Sequence, residues 1–216
     1  MIYFRNLLYN IVKYVSKSGV SMNINTTYTK IITGEDLMET AQHGSTFYPF
    51  QFYYEDLSVF DFNCIEWHWH TELEFIYIES GTVTLWIGEY QFHLTEGNGI
   101  FINTKVLHRL YSPSKALIPN FVFMPSFIAP CDSLIYQKYI LPIISSSFPF
   151  LVFHKKVCWQ AKVLSIMRQI ISAQDSVLSK ELLTSSLLQN LWLEIFENTD
   201  ISYQEEHKDH STASQA

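Results

Sequence analysis

The chain contains 216 residues, of which 48% are hydrophobic and 16% are charged, and its net charge is −7. This length supports a buried core, and the composition excludes extended disorder for most of the chain. The acidic balance disfavours nucleic-acid binding through the chain's own surface, and no apolar run is long enough for a membrane helix. Three widely separated cysteines without a C-x-x-C motif favour reduced thiols. We therefore expect one cytoplasmic domain with appendages and no membrane contact.

The N-terminal residues 1–21 contain three basic and no acidic residues and lack a small-residue cleavage site, which argues against a secretory signal. These residues either form an amphipathic surface helix or are upstream sequence that precedes a true start at Met22, and we favour the second interpretation. Residues 22–46 are polar and weakly patterned, and they are interpreted as an N-terminal arm.

Strand signals begin at residue 47, where short runs rich in aromatic and β-branched residues alternate with turns through residue 124. Closely spaced strands without intervening helices are typical of an antiparallel sandwich or a small barrel. We assign the barrel to residues 47–155. Within it, Ser80-Gly81 and Gly88-Glu89 are both predicted to be two-residue hairpin loops, because glycine provides the positive φ that such turns need.

The segment around residue 70 contains the residues with the clearest chemistry. Side chains two apart on a strand share a face, so His68, His70 and Glu74 have the parity to converge. The predicted hairpins place Glu74 on an otherwise apolar face, where a carboxylate is costly unless it is paired. Imidazole nitrogens and a carboxylate oxygen are common ligands of divalent metals.

A further histidine, His108, shares parity with Leu110 and follows at a distance that allows it to join the same site. Aromatic and aliphatic side chains of the same apolar face would line the rest of the pocket. The predicted effector-binding residues are His68, His70, Glu74, Ile76, Tyr90, Phe92 and His108.

The pattern His68-x-His70-x3-Glu74-x6-Gly81 resembles the first motif of the cupin family, and His108 matches the histidine of the second motif. The resemblance implies a mainly β fold: an antiparallel cupin-like β-barrel, or double-stranded β-helix, followed here by two C-terminal α-helices.

Three positions depart from the cupin pattern. Asn103 stands where cupins usually have proline, and Lys105 stands where they usually have glycine. Phe62 replaces the glycine expected six residues before His68. These departures bear on the geometry of the loops that carry the site.

Two helices are predicted after the barrel, within a helical dimerisation segment at residues 156–198. The first has one apolar stripe, and the second begins near the N-cap Ser179 and has a wider apolar arc. The stripe of the first helix comprises Trp159, Val163, Ile166, Met167, Ile170 and Ile171. The surplus apolar surface of the second predicts a homodimer contact through Leu183, Leu187, Leu191 and Ile195.

Residues 199–216 are polar and are interpreted as a linker. A cupin barrel, a helix pair and a charged linker, in this order, resemble the N-terminal effector-binding domain of AraC-type bacterial transcription regulators over Tyr48 to Asn198. The resemblance implies a small-molecule effector, a homodimer, and contact with DNA only through a C-terminal domain that lies outside this chain.

Several interpretations of His68, His70, Glu74 and His108 stay open. We favour an effector pocket that requires no cofactor, because the resemblance implies that such domains often keep these histidines without needing a metal. The alternative is a divalent metal held by the same four residues in a cupin isomerase or dioxygenase. A buried polar cluster that serves packing alone, or a dimeric protein that sequesters a metabolite, would explain the same residues.

Overall fold

The structure is a computed structural model that describes residues 13–15, 21–23, 29–146 and 148–199. Near the N-terminus, Lys13–Val15 (β1) pairs antiparallel with Ser21–Asn23 (β2), so these residues are extended and not helical. The other residues of the 1–21 prediction, and the predicted linker from residue 200 onward, lie outside the described residues.

Two antiparallel sheets form the body of the molecule, and this confirms the predicted fold class. The five-stranded sheet contains, in spatial order, Phe150–Phe153 (β11), Gly99–Ile102 (β8), Leu73–Tyr77 (β5), Leu117–Phe123 (β10) and Phe50–Asp56 (β3). The four-stranded sheet contains Cys64–His68 (β4), His108–Tyr111 (β9), Thr82–Ile87 (β6) and Tyr90–Thr95 (β7).

One of the two predicted hairpins is correct. Ile87 pairs with Tyr90 around the Gly88-Glu89 turn, as expected. The hairpin at Ser80-Gly81 is wrong, because β5 and β6 belong to different sheets and Ser80 instead bridges to Leu117. Gly81 has a φ of 87°, and a Cβ there would lie 2.7 Å from the backbone oxygen of Lys115, so the crossing between the sheets requires glycine.

The error in the hairpin does not change which residues face inward, because the crossing preserves the alternation of the two strands. The predicted apolar face therefore lines the interior between the sheets. Its buried aliphatic members are Ile76, Ile78, Val83, Leu85, Ile87 and Leu94, and they pack with Ile100, Ile102, Leu110 and Ile118 of neighbouring strands. This apolar core holds the two sheets together and borders the site.

The outer face of the five-stranded sheet is covered by the predicted helix pair, Cys158–Ala173 (α2) and Lys180–Asn198 (α3). A shorter helix, Leu141–Ile144 (α1), precedes β11. Phe75 and Tyr77 lie under this cover. None of the described helices combines the length and apolarity that a membrane span requires.

The burial of α3 corrects the choice of dimer-contact residues. Leu191 and Ile195 are completely buried in the chain's own core, and Leu187 is nearly so, because α3 packs on both α2 and the sheet. These three side chains therefore have no surface left for a partner. Leu183 is 40% exposed and is the predicted contact residue that stays accessible.

Candidate metal centre

Both sheets contribute to the site. His68 ends β4, His70 follows it in a bend, and His108 opens β9, where it pairs directly with His68 across the strands. Glu74 comes from β5 in the other sheet. The alternation of β5 sends Phe75 outward to the helices and Glu74 inward toward the histidines, as the sequence predicted.

The four side chains converge. One ligand atom from each of His68, His70 and His108 lies within 4.8 Å of the others. Glu74 Oε2 lies 3.4 Å from His70 Nε2 and 3.1 Å from His108 Nε2. All four residues are buried, and His108 has no exposed surface. The predicted convergence is therefore a feature of the fold.

The three imidazole rings are oriented by the backbone. Each Nδ1 contacts a carbonyl oxygen two residues away, and because a carbonyl only accepts, each Nδ1 carries the proton. The contacts are His68 to Glu66 at 2.8 Å, His70 to Glu72 at 3.2 Å and His108 to Val106 at 2.8 Å. The Nε2 atoms are left as lone-pair donors, which is the orientation that metal-binding histidines require.

When its histidines are neutral, the site contains acceptors but no donor for them. Glu74 Oε2 and His108 Nε2 are both buried without a hydrogen-bond partner, although they lie in contact. Two facing acceptors repel unless a cation lies between them, whether a proton or a metal ion. Three imidazole nitrogens and one carboxylate fit a divalent ion such as Zn²⁺, Mn²⁺ or Fe²⁺.

The protonation of Glu74 and His68 agrees with this fit, whereas at His70 burial is outweighed by the contact with Glu74, which raises the pKa of the imidazole, so that a metal would displace a proton there. Burial would raise the pKa of Glu74, but His108 and His70 outweigh it and hold this pKa well below its usual range. Burial lowers the pKa of His68, and the neighbouring His108 lowers it further. An ionised carboxylate and a neutral imidazole are the forms that bind a metal.

At two of the three departures from the cupin pattern, the backbone has the conformation that a glycine would adopt. Lys105 has a φ of 60° and Phe62 a φ of 58°, so both occupy the left-handed region that glycine favours. The Lys105 amide donates to the His70 carbonyl at 2.8 Å, which ties the second motif to the first. Asn103, in place of proline, donates through Nδ2 to the carbonyls of Ile143 and Phe148.

A small cavity of about 30 Å³ adjoins His68, His70 and Glu74. It is lined by Ile31, Glu39, His43, Tyr53, Glu55, Ile65, His68, His70, Glu74, Ile76, Leu110, Ile118, Asn120 and Val122. This volume holds about two water molecules, whereas pockets for organic ligands typically measure roughly 300–1,000 Å³. In this arrangement the cavity suits an ion and its water; a larger effector requires part of the lining to move.

The arm supplies part of this lining. Residues 29–46 cross the barrel opening, where the amide of Glu39 donates to the Trp69 carbonyl and the amide of Trp69 donates to the Leu37 carbonyl. The Trp69 indole also donates to the Asp36 carbonyl at 2.9 Å. The arm places Glu39 and His43 in the cavity wall.

Two predicted pocket residues lie elsewhere. Tyr90 is 59% exposed, and its ring stacks with Phe92 while both rings contact Phe150. They share the predicted face, but β7 is the edge strand farthest from β4 in its sheet, so they do not reach the cavity. His68, His70, Glu74 and Ile76 line the cavity, and His108 contacts Glu74.

Sequence reasoning missed five polar cavity residues: Glu39, His43, Tyr53, Glu55 and Asn120. Asn120 had a usable signal, because a single amide within the apolar strand Leu117–Phe123 faces a buried surface on either side. Glu39 and His43 had none, since the path of the arm over the barrel depends on contacts distant in sequence.

Residues 64–118, which contain His68, His70, Glu74 and His108, match the family model described as Cupin domain. The chain is 24% identical over 143 residues to an uncharacterized HTH-type transcriptional regulator, YdeC, of Bacillus subtilis. That match covers 64% of this chain and 48% of the relative, so the chain spans about half the length of the curated relative it matches.

Two solved structures are similar to part of the chain. A conserved protein of unknown function from Streptococcus pyogenes is 20% identical with a TM-score of 0.30, over 35% of this chain and 63% of its own. Oxalate decarboxylase of Bacillus subtilis, which has Mn(II) centres, is 19% identical with a TM-score of 0.27, over 28% of this chain and 18% of its own.

Proposed function

We propose that this chain is the effector-binding part of an AraC-type transcription regulator, and that its cupin barrel binds a small molecule beside His68, His70, Glu74 and His108. The cupin match and the likeness to an HTH-type regulator support this proposal. The order of barrel and helix pair supports it as well. Contact with DNA belongs to a domain outside this chain.

One observation carries the proposal: Glu39 and His43 of the arm form part of the cavity wall. Any ligand that enters the cavity therefore changes the contacts that hold residues 29–46 over the barrel. Occupancy and arm position are thermodynamically coupled in such an arrangement, and each shifts the population of the other. The effector switches the protein only to the extent that it binds the two arm positions with different affinity.

A divalent metal is compatible with this sensor function, since it would bind inside the barrel and hold the effector there. His68, His70, Glu74 and His108 would hold it, and when bound it would supply coordination positions for an oxygen or nitrogen atom of the effector. The protein's own contribution is to orient the rings through the backbone carbonyls and to exclude bulk water.

The test uses the full-length natural protein that contains this sequence. We expect chromatin immunoprecipitation to recover a few promoter regions, and His70→Ala to change their occupancy. His93→Ala is the matched control, because His93 is an exposed histidine on β7 that contacts Thr84 and not the cavity. Absence of DNA association would refute the proposal.

The second candidate is a metal-dependent cupin enzyme, an isomerase or dioxygenase. The acceptor-only convergence of Glu74 and His108 favours it, because such a site stabilises a metal whether or not a DNA-binding domain is attached. Stoichiometric metal together with turnover of a small molecule, both lost in His70→Ala, would favour the enzyme over the sensor.

The homodimer is part of the proposal, with the exposed leucines of α3 as its contact surface. Leu182 is 77% exposed and Leu193 is 50% exposed, and they join Leu183 on the outside of the helix pair. We expect Leu182→Glu with Leu193→Glu to yield a monomer by light scattering. Gln91→Glu with Ser114→Glu, at two exposed positions outside α3, is the charge-matched control. A Leu182→Glu, Leu193→Glu variant that stays dimeric would refute this contact.

A further inference from the structure

Trp69 lies between two of the candidate metal ligands, His68 and His70, and the arm binds its main chain on both sides of the residue. The amide of Trp69 donates to the Leu37 carbonyl at 3.1 Å, and its carbonyl accepts from the Glu39 amide at 2.9 Å. Together the two hydrogen bonds form a short parallel β-bridge. The main chain that links the two histidines is therefore part of the surface on which the arm docks.

The side chain of Trp69 makes a third contact with the arm. Its indole N–H donates to the Asp36 carbonyl at 2.9 Å. Trp69 is absent from the described residues that line the cavity, although its two neighbours His68 and His70 are among them. Trp69 therefore acts on these histidines through the main chain and not as a ligand.

The arm is strained at the point where it meets Trp69. Its Gly34 amide donates to the Met38 carbonyl at 2.8 Å, which closes a tight turn. Within this turn Leu37 has a φ of 67°, in the left-handed region that is unfavourable for a residue with a Cβ. Such strain persists where the surrounding contacts determine the conformation, and it is common at functional positions. The carbonyl of this strained residue is the acceptor of the Trp69 amide.

The arm also contacts His70 directly. The rings of His43 and His70 meet edge to face, with their centroids 5.5 Å apart. The His70 carbonyl accepts from the Lys105 amide at 2.8 Å, in the loop that leads to His108. His70 is thus held by the arm and by the loop of the second cupin motif.

These contacts bear on metal affinity because a bound ion requires His68 and His70 to present their ring nitrogens to one point. Without the arm contacts, an ion would have to order the connecting main chain when it binds, which costs conformational entropy. Groups that orient ligands from outside the coordination shell typically change metal affinity about 10–100-fold. Arm docking and metal binding are therefore linked, and such linkage acts equally in both directions.

We propose that Trp69 is a positioning residue, through which the docked arm orients His68 and His70 for a divalent ion and the bound ion in turn stabilises the docked arm. This role rests on the metal centre described above. It goes beyond the proposed function, because it needs an ion but neither an effector nor DNA, and it would hold for a cupin enzyme as well.

The first test measures amide hydrogen exchange of the whole chain by NMR, with one equivalent of Zn²⁺ and with a chelator. We expect Zn²⁺ to slow exchange of the Glu39 and Trp69 amides about tenfold, because exchange requires the bonds between arm and site to open. The Gly97 amide, which donates to the Ile78 carbonyl in a distant turn, is the internal control for a general gain in stability. It should slow by no more than about threefold.

The second test measures the opposite direction by isothermal titration with Zn²⁺. A double variant, Glu39→Pro with Trp69→Phe, removes the amide that donates to the Trp69 carbonyl and the indole N–H that donates to the arm. The matched control is Glu39→Ala with Trp86→Phe, which keeps both donors; Trp86 lies under Arg109 on the four-stranded sheet. The double variant should bind Zn²⁺ about tenfold more weakly than this control.

Three results would overturn the inference. Zn²⁺ that leaves exchange at Glu39 and Trp69 unchanged, or slows Gly97 equally, would show that the arm is not coupled to the centre. A double variant that binds Zn²⁺ as tightly as its control would remove Trp69 as the link. Absence of Zn²⁺ binding to the wild type would remove the centre itself, while the DNA experiment would still decide the proposed function.

Discussion

The two faces of the five-stranded sheet are both buried, but for different purposes. The outer face is an aromatic layer under α2 and α3, in which Phe75 lies against Phe101 and Phe121 with ring centroids 5.0 and 5.4 Å away. The inner face is aliphatic at one end and polar at the other, where Glu74 meets the histidines.

Along β5, residues that stabilise the core therefore alternate with residues that face the candidate site. Every second residue of β5, namely Leu73, Phe75 and Tyr77, belongs to the layer under the helices. The alternate residues include Glu74, whose buried carboxylate lacks a donor within the described protein contacts. The inner face therefore carries an unfavourable arrangement that the outer face compensates, which is typical of functional sites.

The largest effect is expected on the aromatic side. Phe121→Ala should lower the free energy of unfolding by about 3–5 kcal/mol, because Phe121 is fully buried and the layer cannot collapse around the cavity. Urea unfolding followed by circular dichroism measures this. Metal affinity of the folded variant should stay within a few-fold of wild type, and a large loss would show that the two faces are not separable.

The next effect is expected at the polar end. Glu74→Gln should weaken divalent-metal binding by roughly 100-fold, since it removes a ligand and not merely an outer partner. The same change should raise the stability of metal-free protein by about 1–2 kcal/mol at a pH above the raised pKa of His70, because an amide can then donate to a neutral imidazole Nε2.

Isothermal titration with Zn²⁺ and urea unfolding in the presence of a chelator measure the two quantities for Glu74→Gln. Glu79→Gln is the control, because Glu79 lies further along the chain and contacts Tyr54 instead of the histidines. A metal-free Glu74→Gln variant that is less stable than wild type would contradict the acceptor-only description.

A smaller effect is expected at the loop that precedes His108. Asn103→Ala should lower stability by about 1–3 kcal/mol, because the carbonyls of Ile143 and Phe148 lose their donor in a buried setting. Thermal unfolding measures this loss. Asn98→Ala is the exposed control; equal losses in the two variants would show that burial is not the cause.

The smallest effect is expected at Lys105. Lys105→Gly should raise stability by no more than about 1 kcal/mol, because relief of the left-handed strain is offset by greater freedom of the unfolded chain. Chemical denaturation with repeated measurements resolves a change of this size. Lys155→Gly, at a residue without positive φ, should not stabilise; a destabilised Lys105→Gly variant would mean that the side chain has a role of its own.

The sequence predicted those features that depend on local alternation. The parity of His68, His70 and Glu74, the aliphatic interior and the two helices all follow from periodicity of neighbouring residues, and the structure contains them. The choice of sheet for β5 and β6 did not follow, because a two-residue turn and a crossing between sheets have the same local signal at Ser80-Gly81.

The remaining differences between the predictions and the structure depend on contacts between residues that are distant in sequence. The apolar arc of α3 was interpreted as surplus surface, whereas the five-stranded sheet and α2 together bury Leu191 and Ile195. Tyr90 and Phe92 have the correct parity but lie on an edge strand, and parity contains no information about distance from the site. The contribution of Glu39 and His43 required the path of the arm, which no pattern in residues 22–46 indicates.

The most direct test of the central claim is X-ray absorption spectroscopy of protein loaded with one equivalent of Zn²⁺. Convergence of His68, His70, His108 and Glu74 predicts about three imidazole nitrogens and one carboxylate oxygen near 2.0–2.1 Å, with one imidazole fewer in His108→Ala. A spectrum with oxygen ligands alone, or one that His108→Ala leaves unchanged, would contradict the claim.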